Sequence, residues 1–291
     1  MTLTPIEAHA ACVLLVLVDL AARAWRIEWL LRGTGTRITF AQAIGINAVG
    51  DAACALSPMR IAGEPARLWG MLRAGVPAAA AFVAISVEIL AAWPVIVAAA
   101  VVLTVLFAPE WMAMALPRIR HAAAAGWPWI ALVLVITAAS WLVARRWTTA
   151  AAHRLRRPVQ RVRVYWRRMP HWPVLASIPM TALNIVSRSG ILVALALAEP
   201  SGMSPGALFF GSFVLLYAQL ILPTPSGAGV VDLGFLGGAA GDLGAGALIW
   251  WRVYSNGVGI LLGGVVLLRN ALGGPGGRRV RFPAGIRQGS S

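Results

Sequence analysis

Two stretches decide how this chain folds: LSPMRIAGEPARLW at 56–69 and LPTPSGAGVVDLG at 222–234. Each interrupts apolar sequence with a proline, a short gap containing glycine, and then an acid. These are Pro58, Gly63 and Glu64 in the first, and Pro225, Gly229 and Asp232 in the second. Proline breaks a helix because it lacks the N–H donor and its ring clashes with the preceding turn. Backbone freed from its helix inside hydrocarbon finds no water, so such breaks persist only where protein or a water-filled cavity surrounds them. Interrupted helices in both halves of a membrane chain point to a binding site.

The surroundings of both breaks are membrane sequence. Of the 291 residues, 59% are hydrophobic and 12% are charged, well under the charged share of roughly 25% in soluble domains. Polar surface for a soluble globule is missing. The expected fold is an all-α polytopic integral membrane protein, one domain over 1–270, with about six to eight membrane segments of ~20 residues. Residues 271–291 read as a basic cytoplasmic tail without fixed structure.

All 25 basic residues are arginine, against ten acids, for a net charge of +15. The arginines cluster at 23–37, 145–168 and 269–287, and short loops rich in Arg stay cytoplasmic. The three clusters therefore share one side, with the N-terminus outside and the C-terminus in the cytoplasm. Their partners are anionic lipid headgroups; nucleic acid is a poor fit because the clusters flank apolar spans. The run 23–37, with Trp25 and Trp29 among its arginines, reads as the end of the first helix turning into an interfacial amphipathic piece. Asp19 and Asp242 read as interfacial, and most tryptophans as headgroup-level anchors.

Parity organises the rest. Residues 39–75, with Arg60, Arg67 and Arg73, read as a helical hairpin that enters from the cytoplasm and returns, broken at Pro58. Spans are expected at 77–108, 127–144, 172–198 and 246–268. The stretch between 205 and 244 must then begin and end outside, as a second hairpin joined at LPTPSGAG. Two opposed re-entrant hairpins form an inverted-repeat-like arrangement that brings broken helices together at the midplane.

These residues carry a resemblance. RAWRIEWLLRGTGTRITF, INAVGDAACALSPMRIAGEPARLWGM, LPTPSGAGVVDLGFLGG and IWWRVYSNGVG together resemble the flippase-like transmembrane family of lysylphosphatidylglycerol synthetases. Its distinctive patterns are Pro-x-x-x-x-Gly-Glu-x-x-Arg, here Pro58, Gly63, Glu64 and Arg67, and Pro-x-Pro-Gly-Gly-x-Gly-x-x-Glu, here Pro223, Pro225, Ser226, Gly227, Gly229 and Asp232. Ser226 stands where that family usually has Gly, and Asp232 where it usually has Glu. The resemblance implies a multi-pass protein of the bacterial inner membrane that handles lipids. In some members this is movement of an aminoacylated phospholipid between leaflets, in others work on polyprenyl-linked or envelope glycolipids. Nothing after Leu268 matches the soluble aminoacyl-transferase domain of the full synthetases.

The candidate substrate-binding residues are Arg60, Gly63, Glu64, Arg67 and Arg188, with Pro225, Gly227, Gly229, Asp232 and Arg252. Pro65 suits the first turn of a helix with Glu64 as its N-cap. A half-helix starting inside the membrane aims free N–H groups at its ligand, which suits phosphate. Glycine allows close backbone approach, and a guanidinium fork grips phosphate oxygens. The structural alternative is internal pairing, Glu64 with Arg67 and Arg188 or Arg252 with Glu88 or Asp232, because buried intramembrane charge is costly. Glu64, Asp232, Glu88 and Asp51 could instead carry protons for coupled transport.

Enzymatic chemistry has little support. Cys12 and Cys54 lack metal-ligand spacing, and His9, His121, His153 and His171 fall at proposed boundaries or loops. Nucleophile-elbow, metalloprotease and P-loop patterns are absent, and Ser226 reads as turn chemistry. No catalytic residue, metal or cofactor is expected. The functional expectation is a lipid translocase-like protein binding a phosphate-bearing lipid, either phospholipid, aminoacyl-phospholipid or polyprenyl-phosphate-linked. The alternative is a non-transporting partner, alone or as a homo-oligomer, that presents or regulates lipid for an envelope glycosyltransferase or synthetase.

Overall fold

The computed structural model describes residues 3–109, 156–199, 202–222, 224–237 and 243–272. The expected span at 127–144, the arginines of 145–155, Asp242, Pro223 and the tail after Leu272 lie outside these residues.

The described chain is helical. Helix α1, Pro5–Gly33, opens on a capping box between Thr4 and Glu7 with proline at its start. Helix α2, Phe40–Leu56, opens on a second one between Thr39 and Gln42. Each box satisfies two backbone donors that a helix start leaves free. They are followed by α3, Gly63–Arg73, α4, Ala78–Pro109, α5, Arg156–Arg168, and α6, His171–Ala196. The last part holds α7, Pro205–Ala218, α8, Val230–Gly237, and α9, Gly244–Arg252. A π-helical turn, Val253–Gly257, joins α9 to α10, Val258–Leu272.

Among the described residues, four helical stretches are long and apolar enough to cross a membrane: α1, α4, α6 and the continuous α9–α10 unit. The protein is thus a multi-pass membrane protein. Val101, Val105 and Leu106 on α4 lie largely exposed, an apolar surface that a soluble protein rarely leaves uncovered. Helices α2 and α7 are apolar but shorter.

Two cores form at opposite ends of the bundle. One gathers Val16 near the start of α1, Leu195 at the end of α6, Phe210 of α7, Phe235 of α8 and Trp251 of α9. The other gathers Leu31 at the end of α1, Ile46 of α2, Met71 at the end of α3 and Val83 near the start of α4. The start of α2 and the end of α3 therefore share one end, while α7 and α8 sit at the other. Small residues let α10 lie close on α2: a Cβ on Gly263 would come within 2.2 Å of the Ala48 carbonyl, and one on Gly259 within 2.6 Å of Asp51. Close approach through small side chains is how membrane helices gain packing energy without a hydrophobic drive.

Four local expectations change. No interfacial piece begins at Arg23: α1 continues unbroken to Gly33, and Arg26, with Glu28, is buried. Asp19 is buried at 5% exposure and bound to Arg23 at 3.0 Å, because the ion pair turns it inward. Trp251 is fully buried and donates to the Ser212 hydroxyl at 3.2 Å, so it is a core residue and not a headgroup anchor. Helix α3 also starts at Gly63 with Ala62 as N-cap and no side-chain cap. The Glu64 carboxylate binds Arg67 instead, and the Ser57 hydroxyl accepts from the Ala62 N–H at 3.1 Å.

Candidate functional site

The two sequence breaks meet. An isolated antiparallel bridge joins Pro58 to Pro225, and the Met59 N–H donates to the Leu222 carbonyl at 3.1 Å. Each break is the same turn. Ile61 N–H donates to Pro58 O at 3.2 Å and Ala228 N–H to Pro225 O at 2.9 Å. The two residues between are left-handed in both: Met59 and Arg60 at φ 51° and 57°, Ser226 and Gly227 at 50° and 67°. Two left-handed central residues closed by such a bond make a type I′ turn, which favours Gly, Asn and Asp. Met59, Arg60 and Ser226 adopt it at a cost of about 1–2 kcal/mol each, which persists only where surrounding contacts impose it.

Beside the first turn lies a cavity of about 320 Å³. Its charged wall is built on four helices. Arg23 of α1 donates to both oxygens of Asp51 on α2, at 2.9 and 2.7 Å, and pairs with Asp19, which also accepts from the Asn184 amide. Glu88 of α4, 3% exposed, receives Arg26 on one oxygen and Arg67 on the other, each at 2.5 Å. Arg67 also reaches Glu64 at 3.0 Å. Gly50 makes room for this: a Cβ there would sit 2.5 Å from Arg67 Cγ. A buried carboxylate shared by two guanidiniums is stable only with such complete bonding, since burying either charge alone is expensive.

Two arginines in the same cavity have no carboxylate partner among the described residues. Arg60 donates to Gln219 Oε1 at 2.8 Å and to Asn256 Oδ1 at 3.2 Å. Arg188 donates to the Ser255 carbonyl and to Asn256 Oδ1, the latter at 3.3 Å. The π-turn presents both acceptors, and such turns recur at functional sites. Five guanidiniums, of Arg23, Arg26, Arg60, Arg67 and Arg188, thus face four carboxylates, of Asp19, Asp51, Glu64 and Glu88. Donors exceed acceptors too. The Nε–H groups of all these arginines except Arg60, the Asn47 and Gln219 amide nitrogens and the Ser189 hydroxyl are buried without a hydrogen-bond partner. Ala92 and Ile96 of α4, Leu216 of α7 and Leu220 just after it supply an apolar flank.

The sequence candidates divide between two places. Arg60, Gly63, Glu64, Arg67 and Arg188 line the cavity. Pro225, Gly227, Gly229, Asp232 and Arg252 form a separate cluster around the second turn. There Arg252 grips Asp232 at 2.6 and 2.8 Å and donates to the Ser226 carbonyl at 2.8 Å, and Asp232 accepts from the Gly229 N–H at 2.9 Å. Gly63 packs on Cys54, whose sulfur would lie 2.2 Å from an added Cβ. Gly227 has Val231 at 2.6 Å from such a Cβ, while Gly229 faces open space. Of the pairing alternatives, Glu64–Arg67 and Arg252–Asp232 form; Arg188 does not pair with Glu88, which Arg26 and Arg67 already fill.

Sequence reasoning passed over Arg23, Arg26, Gln219 and Asn256 as site residues. The first two lie in the positive cluster at 23–37 and look like an orientation signal. Gln219 and Asn256 carried a usable sign, an amide side chain inside an apolar span. Among the described residues no group of three or more His, Cys, Asp or Glu is arranged to hold a metal ion.

Among its described residues the protein is a helical multi-pass membrane bundle with two helix breaks in contact and a donor-rich cavity beside the first. The family of lysylphosphatidylglycerol synthase transmembrane regions matches residues 4–263, and the chain belongs to it. No curated protein and no solved structure matches the chain.

Proposed function

We propose that this protein is a lipid translocase-like protein of a bacterial inner membrane that takes the phosphate-bearing headgroup of a lipid into its central cavity. The carrying observation is the imbalance around that cavity: the five guanidiniums that line it have four carboxylate partners between them, of which Asp51 and Glu64 line it too, and seven buried donors in and behind its wall are unmet. Buried donors without acceptors each cost about 1–3 kcal/mol, and phosphate oxygens are acceptors only. At about 320 Å³ the cavity holds a headgroup and not a whole lipid. Its apolar flank suits the glycerol end of the chains.

In this reading α2–α3 and α7–α8 are re-entrant hairpins from opposite membrane faces, whose tips meet at Pro58 and Pro225. Two observations support it: the cores at opposite ends of the bundle and the repeated turn. The N-terminus lies outside and the arginine clusters face the cytoplasm. Alternating access then requires the contact between tips to open toward each face in turn.

The test is reconstitution of the purified protein into vesicles of phosphatidylcholine and phosphatidylglycerol carrying a fluorescent phosphatidylglycerol or polyprenyl phosphate. Transport predicts that inner-leaflet label becomes accessible to an external membrane-impermeant quencher faster than in protein-free vesicles, with or without a proton gradient. Binding of the lipid without any acceleration would remove transport and leave a lipid-presenting membrane partner.

A further inference from the structure

Glu88 and Asn256 hold equivalent places among the partners of the arginines that line this cavity, with different charge. Each bridges two arginines: Glu88 joins Arg26 to Arg67, and Asn256 joins Arg60 to Arg188. The carboxylate bridge is tight, 2.5 Å on both sides, while the amide bridge is loose, 3.2 and 3.3 Å on a single oxygen. Ionic hydrogen bonds are shorter and roughly twice as strong as neutral ones, so the first cluster is paired by charge, while the second rests two cations on neutral acceptors.

We propose that Asn256 is the specificity-determining residue of the cavity: a neutral acceptor that stands where a phosphate oxygen binds, and that yields Arg60 and Arg188 to the anion. This rests on the phosphate-lipid reading above. The backbone is shaped for it. In the π-turn the Ser255 carbonyl receives Arg188 and so fixes that guanidinium, and the next residue points its amide between the two arginines. The amide nitrogen of Asn256 is tethered only to the neighbouring Ser255 hydroxyl, at 3.3 Å, which lets the side chain swing aside. Gln219 is a second neutral acceptor on Arg60, and its own Nε2 is buried with no partner. Once Arg60 turns to an anion, that N–H has an oxygen to meet. An aspartate at 256 would instead complete the site as Glu88 completes its own, and leave no charge for a ligand.

The experiment uses the full chain in nanodiscs and in detergent. It measures binding of phosphatidylglycerol, with inorganic phosphate and a phosphate-free glycosyl diacylglycerol as parallel probes, together with thermal unfolding. Wild type should bind phosphatidylglycerol and not the glycolipid. N256D should bind it about tenfold or more weakly, the worth of one ionic hydrogen bond, and unfold at an equal or higher temperature. N256A should bind within about twofold of wild type or more tightly, since it removes a competitor worth at most one neutral hydrogen bond. N256D binding phosphatidylglycerol as wild type does would overturn the role of Asn256 and leave the lipid reading intact. Weak binding by both variants with a lowered unfolding temperature also overturns it, in favour of a structural role. Wild type that binds inorganic phosphate but not phosphatidylglycerol, or neither, removes the lipid reading and this assignment with it.

Discussion

The two helix breaks share one backbone and use it differently. Both are type I′ turns following a proline, and the two touch through Pro58 and Pro225. The first delivers its charges into the cavity: Arg60 goes to Gln219 and Asn256, and Glu64 and Arg67 join Glu88. The second consumes its charges locally, since Arg252 closes on Asp232 and on the Ser226 carbonyl within its own cluster. A shared turn thus borders a donor-rich cavity on one side and closes a local ion-pair cluster on the other. What separates them is the neighbours: α1 and α6 bring arginines and α4 a carboxylate to the first turn, whereas α9 brings a single arginine to the second.

The comparison breaks most readily at its most buried member. Glu88→Ala strands Arg26 and Arg67 at once, and loss of one partner of a buried pair costs about 3–5 kcal/mol. Asp232→Asn removes a carboxylate that is a third exposed, worth about 1 kcal/mol or less. Thermal unfolding in detergent should rank the two far apart; equal losses would erase the distinction between a buried hub and a partly exposed clasp.

Packing offers the next contrast. Gly63→Ala drives a methyl into the Cys54 sulfur and should destabilise by about 1–3 kcal/mol, with much of it recovered in the double variant Gly63→Ala, Cys54→Ala. Gly229→Ala meets open space, so only its left-handed backbone is penalised, by about 1–2 kcal/mol, and no neighbouring truncation should restore it. Recovery by Cys54→Ala in the second case, or its absence in the first, would contradict this account.

Ligand binding sharpens the division of labour. Arg60→Ala should weaken phosphatidylglycerol binding about tenfold or more with unfolding temperature unchanged, because Arg60 holds no carboxylate in the free protein. Arg252→Ala should do the reverse, lowering the unfolding temperature and leaving binding within about twofold. The smallest effect belongs to the turns themselves. Met59→Gly and Ser226→Gly each relieve a left-handed side chain and should raise stability by up to about 1 kcal/mol, read as a small upward shift in unfolding temperature.

Much of the site was legible because its chemistry violates its surroundings. Prolines and glycines clustered within a few residues of apolar sequence mark the breaks, and Arg60, Glu64 and Arg67 next to one stand out against hydrocarbon. Arg23 and Arg26 were not legible in the same way. At the end of an apolar run they match the arginines that only set orientation, and nothing local says that the helix continues past them and turns them inward. Asp19 and Trp251 misread for the same cause: an interfacial and a buried residue near a span end look identical until the facing helix is known.

The sequence by itself determined the class, the helices and the two breaks, since composition, proline and capping act over a few residues and need no distant partner. Only the tertiary structure decided which charges cancel. Arg23 finds Asp51 across 28 residues, Arg26 finds Glu88 across 62 and Arg188 finds Asn256 across 68. Several arginine and carboxylate assignments fit the sequence equally well. The packing of α1, α4, α6 and the π-turn around one cavity selects the assignment in which Arg60 and Arg188 bond no carboxylate among the described residues.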